Sequence, residues 1–258
     1  MIAGFKRALK SIARSVGYDI VRYPPKDSLL TSGRDARVLE SGSPNFVHLL
    51  NRQAIDLVFD VGANTGQYAL SLIASGFIGR IISIEPTVAA HAQLTEMSKN
   101  YPFWQVAERC AVGDCEGEAE INVSVDSEAS SLLPILEDCV QAHPNARYSR
   151  SEKVRVRTLD ALLPELLQDA RAPFLKLDVQ GFEAQALAGA RTSLALFRGL
   201  QVELSFSPLY QGQLLFDEMV QLIKDTGFEL FALLPGFTDP RTGRLLQVDG
   251  VFFRTDNS

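Results

Sequence analysis

The sequence is short of the residues that build stapled or metal-bound scaffolds. Its three cysteines, Cys110, Cys115 and Cys139, show no CxxC spacing. That speaks against a disulfide framework and against a thiolate zinc site, and leaves buried, reduced thiols as the expectation. Positive charge is not in excess: 25 Lys and Arg face 31 Asp and Glu, for a net charge of -6. No nucleic-acid partner is therefore expected, because phosphate binding needs a concentrated basic surface. No apolar run approaches the roughly 20 residues that span a bilayer. The first residues also lack the continuous apolar core of a signal peptide, so the expected location is the cytoplasm. Internal repeats and low-complexity segments are missing too.

What remains is a chain of 258 residues with 46% hydrophobic content. That suits one large α/β domain with a small appendage. The appendage is expected at residues 1–43 and the domain at 44–258. The opening stretch "MIAGFKRALKSIARSVG" contains no acid. On a helix, Ile2, Phe5, Leu9, Ile12 and Val16 share one face, with Lys6, Lys10 and Arg14 beside it. Such a helix either lies on the inner face of an anionic membrane or packs its apolar side on the domain.

From residue 44 onward, helical and strand patterns alternate. "SPNFVHLLNRQ" reads as a helix with Ser43 as N-cap and Pro44 at its first position. "IDLVFDVG" and "GRIISIEP" read as strands, and "FWQVAERCAVGD" as a third that turns near Gly113. "EGEAEINVSV" alternates like an antiparallel addition, while residues 126–150 read as a flexible lid or substrate loop. "FLKLD", "GLQVELSF", "FELFALL" and "RLLQVDGVFFR" supply further strands, and "FEAQALAGARTSLALF" a helix. Strand–helix alternation predicts a mostly parallel sheet covered on both faces. The final strands follow without a helix between them, so the closing edge is expected to be antiparallel.

The first core strand leaves through "FDVGANTGQY". Ligands of open α/β sheets bind beyond the carboxyl ends of the strands. Gly62 and Gly66 sit there and permit close backbone approach. Asp60 can anchor the turn, Asn64 can stabilise it, and Glu85 ends the second strand where an acid can accept ribose hydroxyls. The spacing is not GxGxxG, so a nucleoside without a pyrophosphate suits the turn better than a dinucleotide.

"VFDVGANTGQYA", "SIEP", "AVGDCEGEAEINV", "VRTLDALL", "FLKLDVQGFEAQALAGA" and "VELSFSPLYQGQLLFDEM" together resemble the FkbM family of S-adenosylmethionine-dependent methyltransferases. The resemblance spans roughly residues 44–254. It implies the class I methyltransferase fold: a Rossmann-like, mostly parallel seven-stranded sheet with helices on both faces and an antiparallel closing strand. It further implies O-methylation of a sugar or natural-product hydroxyl. The basic N-terminal helix adds the expectation that the acceptor is a glycolipid. By the same resemblance, Asp60, Gly62, Asn64 and Gly66 line the methionine end of the cofactor and Glu85 its ribose. Asp114 is either an adenine contact or a polar turn residue.

Methyl transfer to an alcohol needs alignment and activation of the hydroxyl. Asp178 and Glu203 end two core strands on the ligand side. They can act as base, as ligands of the acceptor hydroxyl, or as part of a Mg2+ site. Gln180 stands where the family pattern often has glutamate, which weakens the metal option. Ser130, Ser131 and Tyr210 are candidates to border the acceptor, and His143 is the best placed histidine for a base. Two rival readings are a binding protein that keeps the cofactor pocket without turnover, and a nicotinamide-dependent oxidoreductase.

Overall fold

The computed structural model describes residues 39–254. The N-terminal amphipathic stretch lies outside the described residues. The elements begin with α1 (Pro44–Arg52), where Pro44 occupies the first turn and Ser43 Oγ accepts the Phe46 N–H, as the sequence led us to expect. Then come β1 (Leu57–Val61), α2 (Gln67–Ala74), β2 (Arg80–Ile84), α3 (Val88–Ser98), β3 (Trp104–Val106), β4 (Ala111–Val112) and β5 (Gly117–Ser124). The second half holds α4 (Glu137–Ala142), β6 (Tyr148–Arg157), α5 (Leu159–Leu166), β7 (Pro173–Leu177), α6 (Glu183–Ala188), β8 (Gly199–Ser205), α7 (Phe216–Asp225), β9 (Phe228–Pro235) and β10 (Gln247–Arg254).

Seven strands form the main sheet in the order β3-β2-β1-β7-β8-β10-β9. The pairings from β3 through β8 are parallel, and β10 runs antiparallel to both β8 and β9. This is the class I arrangement with its reversed closing strand. The chain steps outward from β1 to β2 and β3, then returns to place β7 on the other side of β1. The switch point is therefore at the carboxyl ends of β1 and β7.

Two parts of the sequence reading need correction. "FWQVAERCAVGD" is not one strand: β3 stays in the main sheet, while β4 joins β5 and β6 in a separate three-stranded sheet. The predicted helix over 182–197 stops at Ala188. Gly189 follows, and a Cβ there would come within 1.9 Å of the Gly113 carbonyl oxygen, so the chain leaves the helix to pack tightly on the β4 turn.

Period-two alternation sorts the strands between two cores. Phe59, Val61, Leu175, Leu177, Val202 and Leu204 face one apolar cluster with α5 and α6. Val58 and Phe174 face the other, with α1 and α2. The same alternation sends a polar row to this second face. Ser83, Asp60, Lys176 and Gln201 are register partners across β2, β1, β7 and β8. All four are buried.

Candidate cofactor and acceptor site

The polar row continues to the strand ends. Two residues beyond Lys176 is Asp178, and two beyond Gln201 is Glu203, which pairs in register with Asp249 of β10. Lys176 Nζ lies 3.4 Å from Asp60 Oδ1, 3.2 Å from Asp178 Oδ2 and 5.0 Å from the centre of the Tyr68 ring. One lysine thus serves several carboxylates. Burial pushes the Asp60 carboxyl up, and Lys176 pulls it back only in part. Glu203 is held well above the usual carboxylate range by burial and by Asp178, Glu183 and Asp249 nearby. Burial and the neighbouring carboxylates thus favour its protonated form, which can donate a hydrogen bond.

Gln180 ties the two predicted catalytic carboxylates together. Its Nε2 donates to Asp178 Oδ1 at 2.7 Å and to Glu203 Oε2 at 3.1 Å, while its Oε1 accepts from Tyr210 OH at 2.7 Å. The residue sits at φ 55°, a left-handed conformation that costs a non-glycine residue energy and marks a constrained turn. Its amide nitrogen occupies the point between the carboxylates that a bridging cation would need. Among the described residues no group of three or more His, Cys, Asp or Glu is arranged to hold a metal ion. A Mg2+ site, one of the options read from the sequence, does not fit this donor set.

A cavity of about 300 Å3 opens above the row. Its lining includes Gly62, Asn64, Glu85, Asp178, Glu203 and Asp249. Glu85 works as a double staple. Its Oε2 accepts the Asn64 N–H at 2.9 Å, and its Oε1 accepts from Thr87 N–H at 2.8 Å and Thr87 Oγ1 at 2.6 Å. Asn64 is held at φ 48°, and its buried Nδ2 has no partner among the described residues. An unpaired buried donor on a cavity wall suits an oxygen-bearing ligand.

Other expected site residues fall elsewhere. Asp60 is fully buried beneath the cavity, paired with Lys176. Gly66 does not line the cavity: a Cβ there would meet the Trp104 ring at 2.5 Å, so this glycine makes room for packing. Asp114 is exposed and outside the lining, which at that end is Cys110, Ala111 and Val112. Of the thiols, Cys110 and Cys139 are buried, whereas Cys115 is exposed. Ser131 Oγ donates to the Gln180 carbonyl at 2.6 Å, and Ser130 and Ser131 both line the cavity.

Asp249 was not singled out in the sequence, although a lone acid in "LLQVDGVFF" was a usable signal. Burial and Asp178 raise its carboxyl to about 6. Between about pH 4 and that value, the folded chain holds a proton that the unfolded chain has released. This group therefore adds stability as the pH falls from about 7 to about 5, and withdraws it as the pH rises. Urea denaturation of the wild type and Asp249→Asn across that interval tests this. The variant is expected to gain stability relative to wild type as the pH rises. A constant difference between the two would contradict the assignment.

The methyltransferase FkbM domain matches residues 60–230 of this chain. The chain belongs to the FkbM methyltransferase family. The matched residues run from Asp60 of β1 into β9. No curated protein matches the sequence. Solved structures similar to this FkbM methyltransferase include TehB from Haemophilus influenzae, at 11% identity and a TM-score of 0.45. That match covers 82% of this chain and 62% of TehB, so the chain spans less than two thirds of that protein. Magnesium protoporphyrin IX methyltransferase from Synechocystis, solved with bound S-adenosylmethionine, matches at 10% identity and a TM-score of 0.46. There 82% of this chain and 76% of the other are covered. The 1,6-didemethyltoxoflavin-N1-methyltransferase from Burkholderia thailandensis matches at 13% identity and 0.42, over 84% of this chain and 79% of the other. Among the described residues, no helix of the FkbM methyltransferase is long and apolar enough to cross a membrane.

Proposed function

We propose that the protein is an O-methyltransferase that methylates a sugar hydroxyl, with a glycolipid or glycoside as the acceptor. The observation that carries the reading is the Asp178–Gln180–Glu203 bridge on the wall of the cavity, at the carboxyl ends of β7 and β8. S-adenosylmethionine supplies a methyl group activated by its bond to a positively charged sulfonium. The residues present fit that ligand. Asp178 and Asp249 line the cavity with only Lys176 to balance them, so the field favours a cation. Asn64 Nδ2 offers a free donor, and Glu85 retains acceptor lone pairs for hydroxyl groups.

The bridge gives each carboxylate a distinct task. Glu203, whose carboxyl is raised by burial and by its acidic neighbours, hydrogen-bonds an acceptor oxygen and orients it. Asp178, fixed on one side by Lys176 and on the other by Gln180, accepts the hydroxyl hydrogen. Orientation of this kind supplies much of the rate in a displacement whose electrophile is already activated. Asp60 and Lys176 hold the row in place from below.

Calorimetric titration with S-adenosylmethionine tests the cofactor half of the reading. NAD serves as the rival ligand and Glu85→Ala as the control. Saturable binding is expected for the wild type. The variant leaves the buried Asn64 and Thr87 N–H groups without their acceptor, at a cost of about 1–3 kcal/mol each. A weakening of roughly tenfold or more follows. Folded wild-type protein that binds NAD and not S-adenosylmethionine would overturn the proposal. Screening glycosides and glycolipids with labelled methyl groups then tests the acceptor.

A further inference from the structure

A second cavity, of about 380 Å3, adjoins the first. Glu128, Gln180 and Glu203 line both, so the Gln180–Glu203 contact is part of their shared wall. The far wall comes from the segment after β5, read from sequence as a flexible lid or substrate loop. It is instead built in. Leu136 N–H donates to the Leu209 carbonyl at 2.8 Å, and Gln211 N–H to the Pro134 carbonyl at 2.9 Å. Ala129, Cys139, Ala142 and Ala146 pack with Leu209, Tyr210 and Leu246 in a small core of their own.

Inside this cavity His143 is held by Asp126, with Nε2 3.1 Å from Asp126 Oδ2. The imidazole is 34% exposed, and its other nitrogen has no partner among the described residues. The ring of Phe237 lies 6.1 Å away. The remaining lining mixes aromatic faces with hydrogen-bonding groups: Tyr210 and Phe237 beside Thr238, Gln180 and Gln247. Among the described residues no lysine or arginine lines it, and Glu128 does, so an anion is disfavoured. A neutral ligand with several hydroxyls and an apolar part fits this chemistry.

We propose that the second cavity is the acceptor site, that it takes a neutral alkyl glycoside, and that His143, fixed by Asp126, anchors a ligand hydroxyl there. The inference rests on the methyltransferase reading above: the body of the acceptor lies in the second cavity, and its reacting hydroxyl reaches past the Gln180–Glu203 contact to Asp178 in the first, since methyl transfer needs direct contact with the cofactor. It adds the place and the anchoring residue.

The cysteines report on each cavity separately. Cys110 lines the first, Cys139 the second and exposed Cys115 neither. In full-length protein carrying Cys115→Ser, thiol modification by methyl methanethiolsulfonate is followed by peptide mass spectrometry. S-adenosylmethionine is expected to slow modification of Cys110. n-Octyl β-D-glucopyranoside, below its micelle concentration, is expected to slow modification of Cys139 without displacing S-adenosylmethionine. Calorimetry of the glucoside into the S-adenosylmethionine complex gives its affinity independently of thiol access. His143→Leu should weaken the glucoside about tenfold, the worth of one buried hydrogen bond, and leave S-adenosylmethionine affinity unchanged. Competition between the two ligands, no binding of the glucoside to the complex, or a glucoside affinity indifferent to His143→Leu each overturns the proposal. Failure of S-adenosylmethionine itself to bind would strike the methyltransferase reading instead.

Discussion

Replacing Lys176 with methionine is expected to cost roughly 3–5 kcal/mol of folding stability, the typical penalty for stranding a buried charge. Lys176 is 6% exposed and Asp60 is 0% exposed, so water cannot take over the lost interaction. Methionine fills much the same volume, which separates the charge effect from a cavity effect. Asp60, Asp178 and Asp249 would then face one another with no cation between them; all three are already coupled to Lys176. The second expectation follows from the first. Adding Asp60→Asn to Lys176→Met removes the stranded charge and should restore most of the loss. Because the Asp60 carboxyl is already raised, the single variant should also regain stability as the pH falls and that group takes up a proton. Urea denaturation of the three proteins checks this. A single-variant loss below about 1 kcal/mol, within the range of an exposed pair, would mean the cluster is not coupled as its geometry implies. A double variant no more stable than the single would say the same.

That cluster shows what sequence could and could not convey. The fold was legible because buried parallel strands read as apolar runs and helices announce their ends, as Ser43 and Pro44 did. Gly62, Asn64, Glu85, Asp178 and Glu203 were expected near the strand ends, and the structure places all five on the cavity wall. The polar row was not. Its members are scattered from Asp60 to Asp249 and meet only through strand register, which a single strand does not carry. Two other expected site residues lie off the cavity wall for reasons of packing. Asp60 points with the row but one step below the cavity, and Gly66 packs closely against the Trp104 ring. The order of the segment from residue 126 to 150 was illegible for another reason. Its order comes from contacts with Leu209 and Tyr210, distant in sequence, so no local periodicity announced it.

Gly62→Ala is expected to abolish cofactor binding and to destabilise the fold far more than an alanine at another left-handed glycine. Gly62 has φ 80°, where an L-residue pays about 1–2 kcal/mol. Gly76 has φ 89° and open space around it, so Gly76→Ala isolates that backbone cost. At Gly62 a Cβ would stand 1.8 Å from the Asp178 carbonyl oxygen and 2.8 Å from its carbon. Neither atom can rotate aside, because Asp178 N–H is bonded to the Val61 carbonyl at 3.1 Å. The Gly62 and Ala63 N–H groups are in turn bonded to the Ile84 carbonyl. Relief requires the ends of β1 and β7 to separate, and these ends carry Asn64 on one side and Asp178 with Gln180 on the other. The glycine is thus demanded by the approach of the chain to itself, and the cavity inherits its shape from that contact. Thermal or urea melts should place Gly62→Ala at least about 2 kcal/mol below Gly76→Ala, the scale of a severe overpacking clash. Calorimetry should find S-adenosylmethionine binding lost in Gly62→Ala and intact in Gly76→Ala. Equal stability of the two variants, or normal binding by the first, would show that the β1 and β7 ends can part without disturbing the site.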